Sequence, residues 1–396
     1  MRPGGSLLRV RVLFCLLGVS ESALLPFLPL LLGLRGFDPQ TVGAVLALMS
    51  AVAFAAAPTW GLVADRLLGD ERALGFGLAA TAVAALVFAA TRSPVAVVAA
   101  GVLLWAMRSP FMALADSMAL ARLGPDRRGA YGGVRLWMSA GFAVGAIVFG
   151  ALVEVSGLEL VAPLYAALCT LNASAFAVVL RGRSLGRPQR AAAAGPRDRA
   201  VLTALPALSL FLVALLLTYA AYSAAYNFGS VRIAALGGGA VFVGLAAGLQ
   251  AGAEVPSMAW TRRLAKRFRP GTVFAAGGAV YVLVYVGWSL AASPALLAVL
   301  RLVAGLGFGL TYVGSVLVID ELVPPQLRAT GQAVSKAVAF GLAPVLGLLC
   351  GGLVYGYLGA PAFFAGAALV TAGAALLAGR TAGAGLPRKQ PQLEHA

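Results

Sequence analysis

Apolar runs of roughly 20 residues follow one another along this chain, each long enough to cross a hydrocarbon core of about 30 Å as a helix. Twelve can be read, at residues 10–34, 39–63, 73–91, 94–120, 132–154, 160–180, 202–228, 239–261, 272–291, 294–319, 329–356 and 360–379. Within lipid each segment must satisfy its own backbone N–H and C=O groups, so runs of this length are read as helices. Charged residues make up 11% of the chain and apolar ones 61%, with a mean hydropathy of +0.91. A soluble domain carries about 25% charged residues, so a soluble globular enzyme is excluded. Disorder is excluded too, because it requires low hydrophobicity. The first run is too long for a cleaved signal, and Glu21 interrupts it.

The net charge of +16 would suit a nucleic-acid partner, but its placement argues otherwise. Connections holding Arg66 and Arg72, then Arg122, Arg127 and Arg128, then Arg262, Arg263, Lys266, Arg267 and Arg269, then Arg328, alternate with connections holding only Arg35, Arg92 and Arg232. Both termini and an arginine-rich stretch at 181–201 fall on the basic side. By the positive-inside rule that side is expected to be cytoplasmic, which places the chain in a cytoplasmic (inner) membrane with both termini inside. No basic face interleaved with aromatics supports nucleic-acid binding. Cys15, Cys169 and Cys350 stand far apart in apolar runs, and the single histidine, His395, lies in the tail. No disulfide framework, metal site, cofactor motif or catalytic constellation is therefore expected, and the chain is not read as an enzyme.

The stretch 181–201 divides the chain into residues 1–180 and 202–379, six runs each, with a tail at 380–396. The parts are self-similar. An offset of 200 aligns Ser93-Pro94 with Ser293-Pro294, Pro125 with Pro325, Arg128 with Arg328 and Gly141 with Gly341, and an offset of 198 aligns Pro58 with Pro256. The expected fold is an all-α membrane protein of twelve transmembrane helices in two pseudo-symmetric six-helix halves. Such a plan places a ligand site between the halves near the midplane.

The segment Gly61-Leu-Val-Ala-Asp65-Arg66 resembles the major facilitator superfamily signature between the second and third helices, although here it continues Leu67-Leu68-Gly69-Asp70-Glu71-Arg72. Further segments resemble the phenylpropionate permease and nucleoside–proton symporter branch, distantly akin to lactose permease. They are Pro26-Phe-Leu-Pro-Leu30, Tyr131-Gly-Gly-Val-Arg-Leu-Trp137, Ala253-Glu-Val-Pro256 and Arg328-Ala-Thr-Gly-Gln332. The resemblance implies the major facilitator fold and alternating-access transport. Asp116 joining Asp65, Arg66 and Arg72 in a gating charge relay is likewise implied by it. The Gly-Pro pair frequent in the fifth helix of drug–proton antiporters is missing from Gly141–Gly150.

A charge inside a membrane is costly and is by default a functional candidate. Glu21 falls near the middle of the first run, between Ser20 and Ser22, and Glu254 lies in the eighth beside Pro256, with Gln250 one turn away. Both acids are expected to carry protons; the plainer readings are a structural carboxyl for Glu21 and a salt bridge to Lys336 for Glu254. Gln250, Arg108 at a break (Arg108-Ser109-Pro110), Arg135, Lys336 and a stripe of Tyr219, Tyr222 and Tyr226 with Asn227 are the expected substrate contacts. An interfacial aromatic belt is the alternative for the stripe. Arg301 lies about 10 Å below one surface, where snorkelling is the plainer reading. Trp105, Trp137, Asn172 and Tyr312 are weaker candidates. Glu21→Gln is expected to abolish gradient-driven accumulation and leave the fold intact.

The function read from the sequence is secondary transport of a small organic solute by alternating access, coupled to protons as symport and performed by a monomer in the bilayer. The alternative on the same scaffold is a proton-antiport efflux pump.

Overall fold

The computed structural model describes residues 3–123, 131–179 and 205–381. The expected linker 181–201, with its arginines, Arg127, Arg128 and most of the tail including His395 lie outside the described residues. The helices are α1 (Pro3–Leu24), α2 (Leu28–Leu34), α3 (Pro39–Val63), α4 (Asp70–Ala90), α5 (Pro94–Arg108), α6 (Phe111–Leu123), α7 (Tyr131–Ser156) and α8 (Val161–Val179). They continue with α9 (Pro206–Ala235), α10 (Ala240–Leu264), α11 (Pro270–Leu290), α12 (Pro294–Leu322), α13 (Arg328–Ala337) and α14 (Ala343–Thr381).

Proline and cap residues punctuate the bundle. Pro39, Pro94, Pro206, Pro270 and Pro294 open helices, where a missing N–H leaves nothing unsatisfied. Asp38 caps α3 by accepting from the Thr41 N–H at 2.8 Å, a bond that holds its carboxyl below the usual carboxylate range. Ser93 and Ser293 cap α5 and α12. Two crossings are interrupted: the first at Leu25–Phe27, around Pro26, and the fourth at Ser109-Pro110. A proline inside a helix removes one hydrogen bond and clashes with the preceding turn.

Among the described residues ten helical stretches are long and apolar enough to cross a membrane. One of these runs 57 residues, from Pro325 to Thr381, far longer than one crossing requires. Within it Gly359 takes φ 78° and turns the chain back, a conformation that glycine adopts without a Cβ penalty. The polar residues of α10, Gln250, Glu254, Arg262 and Arg263, dilute its apolarity, yet its 25 residues have the length of a crossing. With these two points the helices accommodate twelve crossings. Several extend beyond the apolar runs, as α9 does to Ala235 and α12 to Leu322, because helical hydrogen bonding persists where the sequence turns polar.

In the first half α1 packs on α7 and α8, α4 on α5 and α8, and α3 on α5. In the second α9 packs on α14, α11 on α12 and α14, and α10 on α12. The halves meet along α7–α10 and α3–α14. These seams rest on glycine. A Cβ on Gly244 would lie 2.2 Å from the Ala146 carbonyl oxygen, and one on Gly43 would lie 2.5 Å from that of Leu348. Small residues allow this approach of backbones in a membrane. Both contacts fall toward the end of the bundle opposite the chain termini. There Glu154 of α7 also accepts from the Val241 N–H of α10 at 3.2 Å.

Candidate substrate and proton site

Glu21, near the end of α1, is buried. Nη2 of Arg108 donates to its Oε2, and the Tyr165 hydroxyl of α8 donates to its Oε1 at 3.0 Å. The Arg108 guanidinium lies over the Trp105 ring, 4.8 Å from its centroid. The α5–α6 break puts this arginine at the very end of α5. One turn away, Asn172 of α8 donates to the Leu16 carbonyl at 3.1 Å and to the Ser20 hydroxyl. The first half thus holds a buried acid matched directly by a base and a phenol.

The second half is arranged differently. Glu254 is half-buried, and its hydrogen-bonding partner is the amide of Gln250, whose Nε2 lies 3.4 Å from Oε1. The same Nε2 donates to the Tyr222 hydroxyl at 2.9 Å. The Gln250 carbonyl oxygen accepts from Nη1 of Arg301 at 3.1 Å, and Nη2 of Arg301 donates to the Tyr226 backbone carbonyl at 2.5 Å. The Arg301 guanidinium lies 4.5 Å from the Tyr226 ring centroid and 5.2 Å from that of Trp288. Arg301 is only 1% exposed, so it does not snorkel. Rings from α9 and α11 satisfy it more closely than the interface would. Among the described residues neither Glu254 nor Arg301 has an oppositely charged group within ion-pair distance.

The tyrosine stripe packs into an aromatic wall. Tyr219 and Tyr222 meet edge to face with centroids 6.1 Å apart, and Tyr222 also contacts Tyr281 and Phe308, each at 5.5 Å. Asn227 turns instead to its own helix, donating to the Ser223 carbonyl at 2.9 Å. Tyr281, Tyr285 and Trp288 went unnoticed in the sequence, although their spacing of four and three on α11 marks one face. Tyr165 carries no such signal.

Groups of the two halves also act on one another electrostatically, among them Glu21 with Tyr226 and Glu254 with Arg135. Arg135 Nε also lies 3.9 Å from Asp116 Oδ1, and Lys336, exposed on α13, acts on the same carboxyl. Among the described residues the salt bridge from Glu254 to Lys336, the plainer reading of that acid, is not formed. Asp65, Arg66 and Arg72 are exposed at the terminus-bearing end. Asp116 interacts with Tyr131, Arg135 and Lys336, whereas Ser117 donates to Asp70 and Arg122 to Glu71 at 2.6 Å. A cavity of about 600 Å³ opens at the same end, between Arg262, Lys266, Tyr312 and Asp320.

Charged and aromatic groups buried within each of two membrane-spanning helical halves suit a solute transporter. The MFS_1 like family model matches residues 8–365, and the chain belongs to this family of major facilitator superfamily transporters. It is 31% identical over 317 residues to the maltose permease of Geobacillus stearothermophilus, covering 78% of each chain. Its fold matches the crystal structure of the nucleoside transporter NupG with TM-score 0.81 at 17% identity, covering 97% of this chain and 99% of that one. It also matches the human organic anion transporter MFSD10, with TM-score 0.62 at 18% identity over 96% of this chain and 100% of that one. Its relatives are transporters and not enzymes.

Proposed function

We propose that the protein is a proton-coupled symporter that carries a small, neutral, hydroxylated ring solute, a sugar or a nucleoside, into the cell. The observation that carries this reading is Glu254. It is a half-buried carboxyl whose bonded partner is an amide and not a cation, set beside an aromatic wall and across from Arg135. Such an acid can exchange its proton without stranding a buried cation. Neutralised, it crosses a dry intermediate at lower cost, which links the proton to the conformational equilibrium. Glu21, tied to Arg108, takes the second coupling role as the acid whose partner must be satisfied in every state. Tyr219, Tyr222 and Tyr226 offer ring faces to a sugar or a base, and Gln250, Arg108 and Arg135 offer hydrogen bonds to hydroxyls. The names of the relatives, a maltose permease and a nucleoside transporter, point to the same solute chemistry.

In this reading residues 1–180 rock against 202–379 about the central site. Asp65, Arg66, Arg72 and Asp116 set the balance of states at the terminus-bearing end. The basic connections support a cytoplasmic side for that end, and in this reading one chain holds a whole site, so a monomer suffices.

The test uses proteoliposomes with an inward proton gradient and labelled uridine or maltose. Accumulation above equilibrium is expected for wild type. For Glu254→Gln, accumulation is expected to fall at least tenfold while exchange against unlabelled solute persists. Accumulation only under an outward proton gradient would establish efflux by antiport and overturn the reading.

A further inference from the structure

A guanidinium only donates hydrogen bonds, whereas a glutamine amide has one accepting and one donating end. Arg301 faces Gln250, so the amide must present its oxygen to α12, as the 3.1 Å bond from Nη1 to Oε1 records. The two N–H bonds of Nε2 are then directed away from Arg301, toward the Tyr222 hydroxyl at 2.9 Å and the Glu254 carboxylate at 3.4 Å. Arg301 cannot easily turn aside. Its Nη2 is bonded to the Tyr226 carbonyl at 2.5 Å, two rings stack on it, and it is 1% exposed. The glutamine is equally fixed. It is buried, and a Cβ on Gly305 would meet its backbone oxygen at 2.4 Å, so α10 and α12 touch at this level.

We propose that Arg301 is a positioning residue for Glu254: by fixing the polarity of the Gln250 amide, it ensures that the Glu254 carboxyl meets a hydrogen-bond donor. Without the arginine the amide is free to turn its carbonyl toward Glu254, and a carbonyl favours the protonated acid. The other groups that act on the carboxyl are Arg135 from α7, Tyr219, Tyr222 and Tyr226 from α9, and Tyr281 from α11. None of these is bonded to the Gln250 oxygen. The assignment rests on the reading of Glu254 as the coupling acid, and it adds a residue that acts only through another side chain.

Infrared difference spectra of the full-length protein in detergent, recorded across pH, follow carboxyl protonation without any solute. The band lost in Glu254→Gln is that of Glu254. Arg301→Met and Gln250→Leu are each expected to move the midpoint of that band to higher pH, by about tenfold in proton affinity. The double variant is expected to move it no further than either single change. Additive shifts would mean that Arg301 acts by charge through space, and an unchanged midpoint in Arg301→Met would mean that it only ties helices together; either result overturns the proposal. If Arg301→Met does not fold, Arg301→Lys and Gln250→Leu decide: less than twofold for the first with tenfold for the second supports it, and the reverse overturns it. A linked titration in protein whose Glu254→Gln variant still accumulates solute would retain the positioning role and refute the coupling role. The absence of any band sensitive to Glu254→Gln would overturn both.

Discussion

In residues 3–179 the buried acid and base touch, with Arg108 closed on Glu21 and Tyr165 on its other oxygen. In residues 205–381 a glutamine stands between them, and the chain of contacts runs from Glu254 through Gln250 to Arg301. The difference determines what each acid can do. A touching pair loses heavily if either charge is removed, because the survivor is left buried and unmatched. A separated pair has already replaced ionic contact with dipoles and rings, so one charge can change without stranding the other. The first arrangement ties its acid to a partner that must be satisfied in every state, and the second leaves its acid able to titrate alone.

The sharpest way to break this comparison is to neutralise each acid in turn. Glu21→Gln is expected to destabilise the protein by about 3 kcal/mol, so the sequence-based expectation of an intact fold gives way to one of marked destabilisation. Glu254→Gln is expected to cost less than about 1 kcal/mol, since only an amide contact changes. Thermal unfolding of both variants in the same detergent checks the pair. Equal losses would show that the two acids are held alike.

A finer probe removes one phenol from each half. Tyr165→Phe deletes a donor to a buried carboxylate, worth about 2 kcal/mol, whereas Tyr222→Phe deletes a neutral contact to an amide, worth about 1 kcal/mol. The same unfolding measurement should rank Tyr165→Phe as the more damaging. Parity would mean that Tyr222 also supports a charge.

The fold was legible because its determinants are local: apolar run length, prolines and the spacing of caps. Pro58 and Pro256, aligned by the repeat, both lie inside helices. The site was legible only as a set of residues. Glu21 and Arg108 were each singled out, but 87 positions separate them in the chain, and no period or spacing joins a pair so far apart. Arg301 was misread for the same reason. Whether a cation snorkels depends on the rings of α9 and α11 around it, and these come together only on packing. Tyr281, Tyr285 and Trp288 did carry a helical spacing, but in an apolar helix that pattern does not reveal which face looks inward.

The duplication that preserves the scaffold does not preserve the chemistry, and the caps provide its quietest test. Ser93 accepts from the Ala96 N–H at 3.3 Å, and Ser293 accepts from the Leu296 N–H at 3.3 Å. Position for position these are the same device, each followed by a helix-opening proline and each set at the end away from the termini. Neither buried acid–base set has such a counterpart: an offset of 200 places Arg301 against Gly101 and Arg108 against Phe308. Ser93→Ala and Ser293→Ala should therefore cost the same, about 1 kcal/mol each, and add in the double variant, because the two caps share no partner. Equal small losses at the caps, beside unequal losses at Glu21 and Glu254, would place the divergence of the halves in their buried side chains and not in their backbones. A Ser93→Ala loss several times that of Ser293→Ala would place it in the framework as well.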